Sequence, residues 1–235
     1  MQARRHPIRI GLLKPRSGAA AILVAGVMFA VGVTNLKTQS VAPVQFRLAV
    51  GAVDPDDAPK TLINLLTTGP PTVLHSGDLV KLYLVPQTAS YIYMLFESAQ
   101  QELTLLFPAA ARLDAPATAG SATYIPAGTG WLELDKNPGL ETVHVIASST
   151  PLPSLTALLR ASEAAVPAQK VAASASALEE IRRLKRERMM ARVAERPITI
   201  AGQTRGVARL PDVATIATEI SAGDFYTRTV EIDHR

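Results

Sequence analysis

The chain has 235 residues, of which 48% are hydrophobic and only 5% aromatic, with no cysteine. That composition excludes a disordered chain as the default and leaves room for one domain with a core of Val, Leu, Ile and Ala. It also excludes disulfides, thiolate metal sites, cysteine nucleophiles and a lipid-bearing cysteine. The net charge is +4 and the isoelectric point about 9.5. The excess sits in residues 1–16, where Arg4, Arg5, Arg9, Lys14 and Arg16 occur with no acid. Removing those five from the 24 basic residues leaves 19 against 20 acidic, so the body is near −1. A basic tail, and not a basic binding face, sets the isoelectric point, and nucleic acid is not expected as a partner.

Residues 17–36, SGAAAILVAGVMFAVGVTNL, form an uncharged run of 20 residues. As a helix this spans roughly 30 Å, the thickness of a bilayer core. The preceding basic cluster, against sparse Lys37, Arg47 and Lys60 and the early Asp54, Asp56 and Asp57, orients the N-terminus to the cytoplasm. A cleaved signal peptide and a buried soluble helix are the rival readings. Ser40-Val41-Ala42 has small-x-small character, but Pro43 after it is unfavourable for cleavage, and the apolar run is long for a signal peptide. Ala21/Ala25 and Gly26/Ala30 have helix-pairing spacing, which a Gly- and Ala-rich segment produces by chance.

Strand patterns dominate the body. Val44, Phe46, Leu48 and Val50 share a face over 44–53, which Asp54-Pro55-Asp56-Asp57 ends. Residues 61–66 fit either helix or strand. Strands are predicted over 72–74, 79–85 (Val80, Leu82 and Leu84 on one face), 91–96, 103–107, 123–125, 131–134 and 142–148. The turns between them include His75-Ser76-Gly77-Asp78 and a polar hairpin at 98–101, and Gly128-Thr129-Gly130 reads as a hairpin turn. Short strands at this spacing indicate a β-sandwich or barrel-like fold.

A short helix is predicted over 154–162 and a longer one over 174–194, opened by a capping box at Ser176 and Glu179 and stopped by Pro197. Its apolar stripe is Leu178, Ile181, Leu184, Met189 and Val193. Residues 178–196 hold seven basic and four acidic residues, which reads as a solvated face with mixed pairs such as Glu179/Arg183. Strands return over 198–200, 214–220 and 225–232, the last placing Tyr226, Arg228, Val230 and Ile232 on one face and closing the sheet onto earlier strands.

The order of Ser76-Gly77-Asp78, Leu79-Val80-Lys81-Leu82, Tyr91-Ile92-Tyr93, Leu103 to Phe107 with Pro108, Tyr124-Ile125-Pro126, and Gly139-Leu140-Glu141 before Val143 to Ser148 resembles the bacterial family catalogued as domain of unknown function 4384 (DUF4384). The resemblance covers residues 72–150, about a third of the chain, and excludes the helix at 174–194. It implies a compact β domain, often joined to caspase-like peptidases, protein kinases or envelope proteins, acting as a partner domain and supplying no catalytic residues. This chain departs from that pattern by pairing the domain with an apolar segment. The same residues also read structurally: Gly77-Asp78 as a turn, Tyr91 and Tyr93 as packing residues, Phe107 as a buried ring at a strand end, and Glu141 as an acid satisfying turn amides or a Lys.

His6, His75, His144 and His234 form no HxxxH or HxH pattern, and no GxSxG, Walker or GxGxxG motif occurs. Asp56-Asp57 and Glu179-Glu180 are neighbours that point apart. No catalytic, cofactor-binding or metal-binding residue is assigned, and no cofactor is expected.

The expected organisation is a basic cytoplasmic tail (1–16), a transmembrane anchor (17–36), a linker (37–43) and an extracytoplasmic, mainly β domain (44–235) with a helical insertion over 154–194. The expected protein is non-enzymatic and crosses a bacterial inner membrane once, with its body in the periplasm. Its β domain would act as an interaction or assembly module for another envelope protein or its own copies. Two alternatives remain: a hydrolase or cell-wall glycan-binding enzyme with a scattered site, and a structural subunit of a secretion or assembly machine.

Overall fold

The computed structural model describes residues 42–188, 193–198 and 210–235. The expected tail, the anchor at 17–36 and most of the linker lie outside them. Among the described residues no helix is long and apolar enough to cross a membrane.

Among the described residues, twelve strands form two sheets. The first is built on β1 (Val44–Val53), whose even residues Val44, Phe46, Leu48 and Val50 are fully buried. On one side β1 pairs with β4 (Leu79–Pro86), on the other with β11 (Thr218–Ala222), both antiparallel. Beyond β11 lies β10 (Val193–Pro197); β2 (Ile63–Asn64) also joins β1. β7 (Thr123–Ile125) and β8 (Leu132–Glu133) both lie along β4. The second sheet runs β3 (Thr72–Leu74), β12 (Phe225–His234), β9 (Gly139–Ser148), β5 (Tyr91–Glu97) and β6 (Leu103–Phe107). Its pairings are antiparallel except β3 with β12.

The period-2 alternation decides how the sheets stack. Phe46 and Leu48 of the first sheet meet Met94, Val145, Val230 and Ile232 of the second in one apolar core. Phe46 packs edge-on to Tyr226 with ring centroids 5.3 Å apart. The opposite parity of the second sheet, Tyr93, Leu95, Ile146 and Phe225, faces outward and is covered by α1 (Pro153–Ala164) and α2 (Pro167–Arg188). α2 buries Ser174, Ala177, Leu178, Ile181 and Leu184, a helical i, i+3, i+4, i+7 stripe. The domain is therefore a β-sandwich with two helices on one outer face.

Several expectations change. α2 starts at Pro167, because proline is tolerated in the first helical turn and the Ala-rich run after it propagates. Ser176 is thus no cap: inside the helix, its hydroxyl donates to the Ala172 carbonyl. Val193–Pro197 is not helix but strand β10, and Met189 lies outside the described residues. The Ile198 amide donates to Ala217, so alternation turns the Pro197 nitrogen away from β11, where its missing N–H costs the ladder nothing. Residues 213–216 form a 3-10 turn, because the Asp212 carboxylate accepts from the Ala214 amide. That turn plugs the outer face of the first sheet with Val213 against Ala49 and Tyr83. Gly128-Thr129-Gly130 joins two strands laid end to end along β4. Lys81 folds this loop inward, its Nζ donating to the Gly128 and Gly130 carbonyls at 2.7 and 2.6 Å and lying over the Tyr124 and Trp131 rings.

Candidate functional site

The family-like turn at 75–78 directly follows β3. Because β3 runs parallel to β12, that turn lies beside the end of β12, with His234 opposite Leu74. Because β9 runs antiparallel to β12, its first residues lie at the same end, with Ile232 opposite Glu141 and His234 opposite Gly139. Glu141 and His234 are thus diagonal neighbours on the inward face. The β8–β9 loop closes this end: Gly77 donates to the Leu134 carbonyl and Leu134 to that of Asp78. Asp135, next along, is thereby brought to the cluster.

His234 is wholly enclosed. Its Nε2 shares a 3.0 Å hydrogen bond with Ser76 Oγ, and its Nδ1 lies 3.1 Å from Glu141 Oε1. Glu141 is 4% exposed, and its second oxygen, Oε2, is buried with no hydrogen-bond partner. Burial pushes the Glu141 carboxyl above the ordinary range, against the opposing pull of His234. Asp135 is exposed; the Asn137 amide and side chain both donate to it at 2.7 Å and hold its carboxyl below the usual range. One donor atom each from Asp135, Glu141 and His234 lie within 4.8 Å of one another.

Glu141 is therefore neither a turn-amide acceptor nor a Lys partner, as the sequence suggests; it is a buried partner of His234. Asp78 is not a solvated turn acid: it is 6% exposed and accepts from the His75 amide at 2.8 Å. His144 meets an acid, its Nε2 lying 2.7 Å from Glu97 Oε2, outward on the second sheet. Tyr93 is buried as expected, its hydroxyl donating to the Leu113 carbonyl. Phe107 is only partly buried, against the edge of the core. Sequence reading missed His234 because it stands 93 residues from Glu141 and 158 from Ser76. The one available signal was a polar residue at the inward parity of the last strand.

Ser76, His234 and Glu141 have the order of a nucleophile, base and orienting acid. Other features oppose that use. The amides of Ser76, Gly77 and Asp78 already donate to the carbonyls of Arg235, Leu134 and His75, so none is free to hold an oxyanion. Cavities of about 240 and 220 Å³ lie elsewhere, the first beside Phe107 and Pro116 and the second beside Pro70 and Glu231.

Much of the basic stretch of α2 is paired: Arg183 bridges Glu180 and Glu187 at 2.6 Å, Arg186 meets Glu179 at 3.1 Å, and Arg188 reaches Asp224 at 3.8 Å.

Among curated proteins and among solved structures, no match to this chain was found. The turn at Ser76 and the Gly139-Leu140-Glu141 strand start, which meet at one end of the sandwich, both belong to the matched segment: residues 73–151 of this chain match the family described as Domain of unknown function (DUF4384).

Proposed function

We propose that the chain is a membrane-anchored interaction module of the cell envelope, which docks a second protein strand on the open edge of its first sheet. The carrying observation is a contrast between two edges. β6, at the edge of the second sheet, has outward amides already engaged: Leu103 donates to Ser174 Oγ at 2.9 Å and Leu105 to Glu163 Oε1 at 3.3 Å. β10, at the edge of the first sheet, is exposed at all five residues and has no partner on its outer side among the described residues. By the alternation that directs Ile198 inward, the Val193 and Glu195 amides point out. An exposed strand edge is a template for β-augmentation unless it is blocked. The uncharged run at 17–36 and its basic flank support the anchor, with the β domain outside the cytoplasm.

The absence of native cysteine makes single-thiol cross-linking direct. In intact cells, Val193→Cys is expected to give a cross-linked adduct, to a second copy or to another envelope protein, while Thr104→Cys on β6 gives none. No adduct from position 193, or equal adducts from both, would overturn the docking edge. A C-terminal reporter active in the cytoplasm would overturn the topology. The Ser76–His234–Glu141 line favours a second reading, acyl transfer. It predicts that Ser76 is labelled by a fluorophosphonate probe, and the engaged amides oppose it.

A further inference from the structure

The end of the sandwich holds an ionisable set that the docking edge does not use. Glu141 is buried, yet half of its carboxylate has no partner. A desolvated carboxylate with unfilled lone pairs is costly unless a proton or a cation joins it. Among the described residues, His234 is the side chain that hydrogen-bonds Glu141, and its Nδ1 meets Oε1 and not Oε2. Exposed Asp135 brings a second carboxylate within 4.8 Å of the buried Glu141 and His234, so the cluster is acid-rich and opens to solvent on one side.

We propose that Asp135, Glu141 and His234 form a binding site for one divalent transition cation such as Zn²⁺ or Mn²⁺. Two carboxylate oxygens and an imidazole nitrogen suit that class, whereas Mg²⁺ and Ca²⁺ favour all-oxygen shells. The 3.1 Å separation of Nδ1 and Oε1 suits two ligands on one small cation as well as a hydrogen bond. Ser76 supplies the orienting partner. Without the cation, the Nδ1 hydrogen faces Glu141 and Nε2 accepts from the Ser76 hydroxyl. With it, the proton sits on Nε2 and is donated to Ser76 Oγ, which frees the Nδ1 lone pair for the metal. Bound through both oxygens, Glu141 would also give Oε2 its missing partner, and the exposed Asp135 provides the way in. The cation would pin the last strand to the strand start and the loop that meet it there.

The test uses the tag-free full chain in detergent, stripped with a chelator and then given Zn²⁺, Mn²⁺ or Mg²⁺ chloride. The expected result is one Zn²⁺ per chain by elemental analysis and a higher thermal midpoint in Zn²⁺ than in chelator. Asp135→Asn changes an exposed residue, so it should fold and weaken binding by at least about tenfold. Glu141→Gln should abolish the midpoint rise, and the His234 ring resonances of the wild type should shift on saturation. An unchanged midpoint, an equal rise in Asp135→Asn, or a Mg²⁺ effect as large as that of Zn²⁺ would overturn the proposal.

Discussion

Gly139 shows how one residue sets the geometry of the cluster end. Its φ is +149°, and a Cβ there would stand 2.6 Å from the Ala99 Cβ in the β5–β6 turn. The missing side chain lets the start of β9 pass under that turn, which places Glu141 two residues on at the inward parity opposite Ile232. Gly139→Ala is expected to lower stability by about 1–3 kcal/mol, through overpacking and an unfavourable φ. Urea unfolding measures this, and a loss too small to detect would show that the turn yields freely. The residue was legible in the sequence only as a glycine at a strand start, because the atom it avoids is 40 positions away in the chain.

At the scale of elements, α1 and α2 cover the outward face of the second sheet and also close its edge. Ser174 is fully buried in the α2 stripe, and its Oγ accepts from the Leu103 amide of β6. Ser174→Ala preserves helix propensity but strands a buried N–H, at a cost of about 1–3 kcal/mol. Amide hydrogen exchange at Leu103 is the specific readout: it is expected to accelerate in the variant well beyond that of β9 amides. Exchange raised equally everywhere would mean that the bond is incidental. The apolar positions Leu178, Ile181 and Leu184 of α2 were visible in sequence, as was the strand alternation of β1 and β4. Their ends were not. Pro197 reads locally as a helix stop, yet in the sheet it is an edge-strand residue whose missing N–H faces outward.

At the scale of the whole domain, the two sheets are tied across their open side by one polar clamp. The Tyr226 hydroxyl of β12 donates to Glu195 of β10 at 2.9 Å. Arg228 bonds the same carboxylate at 2.9 Å and also donates to the Leu66 and Thr67 carbonyls. Burial first, and then the Glu195 charge, push the Tyr226 phenol above its usual 10.0. A pKa raised in the folded state contributes stability that is intact below pH 10.0 and is lost as pH rises through the folded value. Tyr226→Phe is therefore expected to be less stable than wild type at pH 7, by about 0.5–1.5 kcal/mol for the lost hydrogen bond. It should also lose less stability than wild type above pH 10.0. Parallel stability profiles in alkali, or phenolate absorbance showing every tyrosine titrating normally, would contradict this.

The sequence by itself determined the parity of β1, β4 and β12, the apolar positions Leu178, Ile181 and Leu184 of α2 and the family resemblance over residues 72–150, because those signals are local in the chain. It also determined that the basic excess lies in residues 1–16 ahead of the uncharged run. Only the tertiary structure decided that Ser76, Asp135, Glu141 and His234 meet. That meeting depends on the directions in which β3, β9 and β12 run beside one another, and strand order and direction are settled by which faces bury each other, not by any residue's immediate neighbours.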